Sequence, residues 1–325
     1  MIVDCHAHLV PPALLNSIRA NKSRFPNVRQ IESDGGLALA FAGGKPTRPV
    51  SKPLSDIPAR VAWMTQQGID KQVVGGWVDM FGYELQGEEG VHWSMAINEA
   101  LLAAAKAEPR FVPLASVPLG DGKAAAAVLK TAMAAGFPGA MIGTLPRGVG
   151  STLDHADLDP FWAAADDTGA VVHIHPSFDA GDIRVNDFGL ANGLGRITDA
   201  AVAVARLLMT GHVTRYRNAK FFAPMGAAAL PFVIGRLKRT QAITPGVADP
   251  AEGLSLLYTD TILHDARVLK FVAGMVGTER LMMGSDMPFP IGDLEPMRIV
   301  TEAGFGATQA ASINGGLAAK LFRLA

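Results

Sequence analysis

Three short motifs carry residues able to hold a metal ion and move protons. Asp4-Cys5-His6-Ala7-His8 sets two histidines two residues apart. Side chains alternate along a strand, so His6 and His8 point the same way, and two imidazoles can share one divalent ion. Val171-Val172-His173-Ile174-His175-Pro176 repeats the spacing. Spacing does not decide which of this second pair ligates. His175 lies nearer the strand end, whereas His173 lies deeper, where a hydrogen-bonded core histidine is the simpler reading. Gly284-Ser285-Asp286-Met287-Pro288-Phe289-Pro290 adds a carboxylate after another apolar run. Asp286 can be a ligand, a general acid/base or a helix N-cap. Histidines with one carboxylate leave a coordination position open for water or substrate, the pattern of a catalytic site.

These motifs need elements that bring them to one place. Eight short apolar runs alternate with helical patterns: Met1 to Cys5, Gln72 to Gly76, Phe111 to Ala115, Gly139 to Ile142, Ala170 to His173, Ala219 to Phe222, Ser255 to Thr259 and Leu281 to Gly284. Parallel strands need crossover helices, so the alternation predicts an α/β fold, a (β/α)8 TIM barrel, over an open doubly wound sheet. Strand ends and the loops that follow them meet at one mouth of a barrel. Residues 22–55 break the alternation and predict a small inserted segment after the first strand, with Leu37 to Phe41 as a hairpin strand. Residues 1–325 then form a single domain, with the loop at 177–195 at the mouth.

Composition narrows the class. Of 325 residues, 49% are hydrophobic and 18% charged, which supports a large core rather than disorder. Lys and Arg number 29 against 30 Asp and Glu, and no basic stripe occurs, so nucleic acid is excluded as the expected partner. The lone Cys5 permits no internal disulfide. No apolar run approaches the ~20 residues of a membrane span, and the first residues lack a signal-peptide pattern. A cytoplasmic, soluble protein is expected.

Together the metal motifs resemble the amidohydrolase superfamily, in the branch of aminocarboxymuconate semialdehyde decarboxylase. The resemblance extends over nearly the whole chain. It includes Thr47-Arg48-Pro49-Val50, Asp79-Met80-Phe81-Gly82-Tyr83, Val117-Pro118-Leu119 and Ile234-Gly235-Arg236. It implies a barrel with one divalent metal ion, zinc first and manganese or iron as alternatives, held by His6, His8, His175 and Asp286. It implies that Arg48 binds a substrate carboxylate and that Arg236 reaches the neighbouring subunit's site in a homodimer. An Arg fork suits a carboxylate. Trp77, Phe81, Phe178 and Met287 are expected to line an apolar pocket.

One position departs from the family. Its His-Gly-Gly-Gly run reads Met225-Gly226-Ala227-Ala228 here, so Met225 replaces the histidine that contacts the reacting water. A thioether cannot take a proton near neutral pH. His264, or His173 from below, is a substitute base. Otherwise the metal alone lowers the pKa of bound water, and Asp286 shuttles a proton to carbon. The resemblance thus implies a non-oxidative decarboxylase of an unsaturated or aromatic carboxylate, in aromatic-compound catabolism. A C–C bond hydrolase or hydratase on a ring-cleavage product, and a catalytically impaired carboxylate-binding barrel, are the alternatives.

Overall fold

A computed structural model describes residues 1–20, 22–178 and 180–324. The first strand, β1 (Val3–His8), is buried along its whole length. It pairs in parallel with β4 (Lys71–Gly75), which pairs with β5 (Phe111–Pro113). A second parallel set runs β6 (Gly139–Gly143), β7 (Val171–His175) and β8 (Lys220–Phe222). A third joins β9 (Thr259–Asp260) to β10 (Leu281–Met282). Single parallel bridges connect the sets: Ala115 to Ala140, Phe222 to Tyr258, and Ala7 to Met287. The Cys5 amide donates to the Met283 carbonyl at 2.9 Å and the His8 amide to the Met287 carbonyl at 2.8 Å, so β1 also meets the segment after β10.

One buried cluster takes side chains from most of these strands: Val3 and Cys5, Val73, Val112, Met141, Val171, Phe222 and Met282. A larger cluster fills the space between strands and helices, where Val172 and Ile174 meet Phe161, Trp162, Val204 and Leu207. Strands buried on both sides read as continuous apolar runs, which is why they stand out in the sequence. The β1–β4 register advances from Asp4/Gln72 to Ala7/Val74, three residues against two. This bulge falls between Asp4 and Ala7, at the segment that carries His6, and re-aims the strand there.

Between β1 and β4 lie α1 (Pro12–Ala20) and an antiparallel hairpin of β2 (Val28–Ser33) and β3 (Gly36–Phe41). The hairpin is more apolar than the composition of its surroundings suggests: Leu37, Leu39 and Phe41 are buried against Trp93 and its neighbours. Helices follow the strands in turn: α2 (Ile57–Gln66), α3 (Gly87–Ala107), α4 (Gly122–Ala134), α5 (Asp159–Thr168), α6 (Arg196–Met209), α7 (Leu230–Ile243) and α8 (Ala266–Val276). Local chemistry sets their ends. The Asp121 carboxylate caps α4, Asp265 caps α8, and Gly169 at φ 61° closes α5 in the left-handed region.

The expected strand at Ser255 to Thr259 is a correction. Those residues follow a short helix at Pro250–Leu254, and the ladder takes only Thr259 and Asp260. The expected strand at Ala170 to His173 extends to His175, inside the ladder. Among the described residues no helix is long and apolar enough to cross a membrane.

Candidate metal centre

His6 and His8 leave β1, His175 ends β7, and Asp286 follows β10. Their ligand atoms all lie within 4.8 Å of one another. His8 Nε2 is 3.2 Å from Asp286 Oδ1, and His6 Nε2 is 3.6 Å from the same oxygen. Each imidazole is fixed through its other nitrogen. His6 Nδ1 meets Asp260 Oδ2 at 2.8 Å, His8 Nδ1 meets the Gly76 carbonyl at 3.2 Å, and His175 Nδ1 meets the Pro176 carbonyl at 2.9 Å. Acceptors at every Nδ1 select the tautomer with a free lone pair at Nε2. The buried Nε2 atoms of His6 and His8 and Oδ1 of Asp286 have no hydrogen-bond partner. Buried polar atoms are ordinarily satisfied, so this convergence fits a cation. The four residues form a His/Asp metal-binding site.

The protonation states of His8, His175 and Asp286 agree with that use. Burial pushes His8 down and His175 far down from the usual imidazole range, keeping both neutral. Burial also pulls on His6, but the Asp260 hydrogen bond and the Asp286 charge outweigh it and raise the group. Burial would raise Asp286; its 3.2 Å contact with His8 Nε2, together with nearby His6 and Arg196, outweighs it and lowers the group, leaving an ionised carboxylate. Deprotonated imidazoles and an ionised carboxylate are what a metal requires.

A polar network supports β1 from behind. Asp4 accepts from the Ser285 amide at 2.9 Å and from Gln72 Nε2 at 2.8 Å. Arg60 reaches Gln72 Oε1 and the His8 carbonyl, and burial brings its guanidinium down to about 10. Asp4 and Ser285 thus fasten the two ligand-bearing segments together. His173 is fully buried and stacks on Phe222 with ring centroids 4.1 Å apart; it lies edge-on to His6 at 4.3 Å. It is outside the four-residue group and buried as expected, but neither of its ring nitrogens has a hydrogen-bond partner, which corrects the reading of a hydrogen-bonded core histidine.

A cleft of about 840 Å³ opens beside Asp286. Met225 and His264 both line it, with Ile262, Leu263, Val268 and Phe271 supplying apolar wall. Met225 starts a turn in which five successive residues take left-handed φ: Met225 53°, Gly226 64°, Ala227 58°, Ala228 52° and Ala229 58°. The turn is tied down by the Met225 amide to Asp260 Oδ1 at 2.8 Å and the Ala227 amide to Thr259 Oγ1 at 2.6 Å.

The remaining expected site residues divide. Arg48 is near the site, but its Nε and one terminal amino group hold Asp79 Oδ2 and Oδ1 at 2.8 and 2.9 Å. Its guanidinium lies 3.9 Å from the Phe178 ring centroid and 5.2 Å from that of Trp77. Phe178 therefore touches a cation, while Trp77 is buried beneath Arg48. Phe81 is 2% exposed and belongs to the core, outside the lining of the cleft. Met287 is partly buried against the β1 side of the core. Arg236 is exposed on α7 and does not line the cleft of its own chain.

Two residues escaped the sequence reading. Asp260, the partner of His6, gives no motif beyond a lone acid after a short run. Arg196, at the start of α6, lines the cleft with Asp286, and burial lowers its guanidinium from the usual range. The only signal for it was its place just beyond the 177–195 loop.

Three imidazoles and a carboxylate converging from strand ends define a parallel α/β protein with one metal centre. The chain belongs to the amidohydrolase family, whose profile matches residues 3–324. Among curated proteins it is 25% identical to a 2-amino-3-carboxymuconate-6-semialdehyde decarboxylase of Dictyostelium discoideum, over 92% of this chain and 84% of that one. Among solved structures it resembles the 5-carboxyvanillate decarboxylase of Sphingomonas paucimobilis, at 20% identity and a TM-score of 0.81, covering 100% of this chain and 99% of that one. It also resembles the enzyme of that name from Novosphingobium aromaticivorans, solved with manganese and 4-hydroxy-3-methoxy-5-nitrobenzoic acid. There the identity is 19% and the TM-score 0.80, over 100% and 96% of the two chains.

Proposed function

We propose that this chain is a metal-dependent, non-oxidative decarboxylase of an unsaturated or aromatic carboxylate, acting in aromatic-compound catabolism in the cytoplasm. The observation that carries the reading is the buried three-histidine, one-aspartate centre opening through Asp286 onto a largely apolar cleft. The decarboxylase names of its relatives support it. The fold reading is one (β/α)8 barrel domain over residues 1–325, with the β2–β3 hairpin as the insertion within about residues 22–55. The succession of parallel pairs and bridges from β1 to β10 supports it.

His6, His8, His175 and Asp286 would hold one divalent ion, zinc as first assignment, manganese or iron also suiting three nitrogens and one oxygen. Such an ion, when bound, withdraws electron density from a substrate oxygen and makes the carbanion-like state less costly. The chain's own residues do the rest. Asp286, ionised and 17% exposed, accepts the proton of a substrate hydroxyl. Passing that proton to the carbon that bears the carboxylate makes it tetrahedral; the carbon–carboxylate bond then breaks, its electron pair re-enters the conjugated system as carbon dioxide leaves, and a proton from solvent restores the hydroxyl. Arg48, braced by Asp79, and the Trp77 and Phe178 rings form a cationic, aromatic wall; Met225 and Met287 fill apolar space nearby. His264, exposed at the cleft's rim, is the second candidate catalytic group.

Met225, whose thioether accepts no proton near neutral pH, leaves a hydrolase reading dependent on a bound ion or on another side chain to activate water. A homodimer in which Arg236 reaches the partner's cleft is supported by exposed apolar groups beside it. Phe232, four residues before Arg236 and so on the same face of α7, is 82% exposed, and Val268, Phe271 and Met275 on α8 are 42–44% exposed.

The test is a screen of hydroxyaryl and unsaturated carboxylates with metal-loaded protein in ¹⁸O-water. Carbon dioxide release with no ¹⁸O in the organic product is the expected result. A product carrying ¹⁸O without carbon dioxide would replace the decarboxylase by a hydrolase or hydratase. Tight binding without turnover across the screen would leave a carboxylate-binding protein.

A further inference from the structure

We propose that Arg196 is the cleft's carboxylate receptor, so that the substrate carries a second anionic group which stays on the product. The inference rests on the decarboxylase reading and deepens it. Three arginines lie at or beside the cleft, and their forks are not equally available. Arg48 is spent on Asp79. Arg267 is spent on Asp265, through Nε at 3.1 Å and a terminal amino group at 2.7 Å. Arg196 uses only Nε, which donates to Asn192 Oδ1 at 3.0 Å. Its two terminal amino groups have no acceptor, and it has no ion pair, among the described residues.

The geometry holds this free fork in place. A π-helical turn at Ala191–Gly195 runs directly into α6 at Arg196, a distortion frequent at functional sites. The guanidinium lies 5.1 Å from the Phe178 ring centroid, whose ring also faces Arg48. The Asp199 carboxylate, on the same helix, accepts from the Ser177 amide at 2.8 Å and from the Thr144 hydroxyl. That ties α6 to the segment carrying His175 and Phe178. Asp286, Asp79 and Asp199 act on this guanidinium only from beyond salt-bridge range, so its terminal amino groups are open to a direct anionic partner from a ligand. The apolar residues Ile197, Ile262, Leu263 and Phe271 suit a ring or conjugated chain between Asp286 and that anion.

Two probes differing only in one carboxylate test this by calorimetry on manganese-loaded protein: 4-hydroxy-3-nitrobenzoate and 2-nitrophenol. In both, the nitro group beside the hydroxyl stands in for the carboxylate that departs. Arg196→Gln is expected to weaken 4-hydroxy-3-nitrobenzoate by about 30-fold, the scale of charge-assisted hydrogen bonds, and 2-nitrophenol by less than about 3-fold. Retained 2-nitrophenol binding also reports an intact fold and centre. Arg196→Lys, keeping the charge but losing the fork, should recover only part of the loss. Equal weakening of both probes, or of neither, would overturn the role of Arg196 and leave the decarboxylase reading standing. Metal-loaded wild-type protein that binds neither probe would remove both readings.

Discussion

Asp260 carries two duties on one carboxylate. Oδ2 orients His6 through Nδ1, and Oδ1 holds the Met225 amide at the start of the left-handed turn. Asp260→Asn can present the wrong group to His6, and so release its ring. Loss of such an outer partner lowers metal affinity by about 10- to 100-fold. Competition with a chelator should find that loss; unchanged affinity would mean that the His6 ring is fixed by packing alone. The four candidate ligands left a local trace in the sequence, through a strand's two-residue period and an Asp shortly after a short apolar run. Asp260 and Arg196 left none. Their roles depend on where β9 and α6 sit relative to β1, and no short motif encodes that. Arg48 shows the reverse case. Its motif was visible, but the Asp79 partner that occupies its fork lies on another loop. Phe81 was misread because an aromatic beside a motif can as easily fill core as line a pocket.

At the scale of elements, the turn at Met225 to Ala229 is the least expected piece. Left-handed backbone costs a residue with a Cβ roughly 1–2 kcal/mol. At Ala227 and Ala228, both buried, the methyl group regains about 0.8 kcal/mol by burial, so glycine there gains little. Ala229 is exposed and has no such compensation. Ala229→Gly is therefore expected to stabilise the protein by about 1 kcal/mol, after allowing for glycine's freedom in the unfolded chain. Urea unfolding measures this directly, and a destabilised variant would mean that the Ala229 methyl makes a contact outweighing the strain. Helices were readable from their caps and periodicity. Short strands were less so: β9 is two residues long, and the apolar residues before it belong to a helix end and turn. The left-handed turn was unreadable, since three alanines predict a right-handed helix.

At the scale of the molecule, the exposed face of α7 and α8 bears on assembly. A dimer should have twice the 34.1 kDa chain mass by light scattering, and Phe232→Asp should shift it toward monomer while lowering activity by about 10-fold or more through loss of the partner's Arg236. A monomeric wild-type chain with full activity would exclude the shared site. Regular alternation along the sequence gave the order of the parallel strands. It could not give the links between the strand sets, which rest on single bridges.

The joining of β1 to the segment after β10 has a consequence for how the protein is made. Ser285 donates to Asp4 across 281 residues of chain. During translation His6 and His8 emerge before Asp286, which follows only when the residues between them have been synthesised. Until then a nascent chain can offer histidines but not the fourth ligand or the clasp that aligns them. The four-residue centre can therefore be complete only after Asp286 has been added to the chain. An interrupted polypeptide lacking the last strand and its aspartate would leave the ribosome without a working centre, whatever the concentration of the ion.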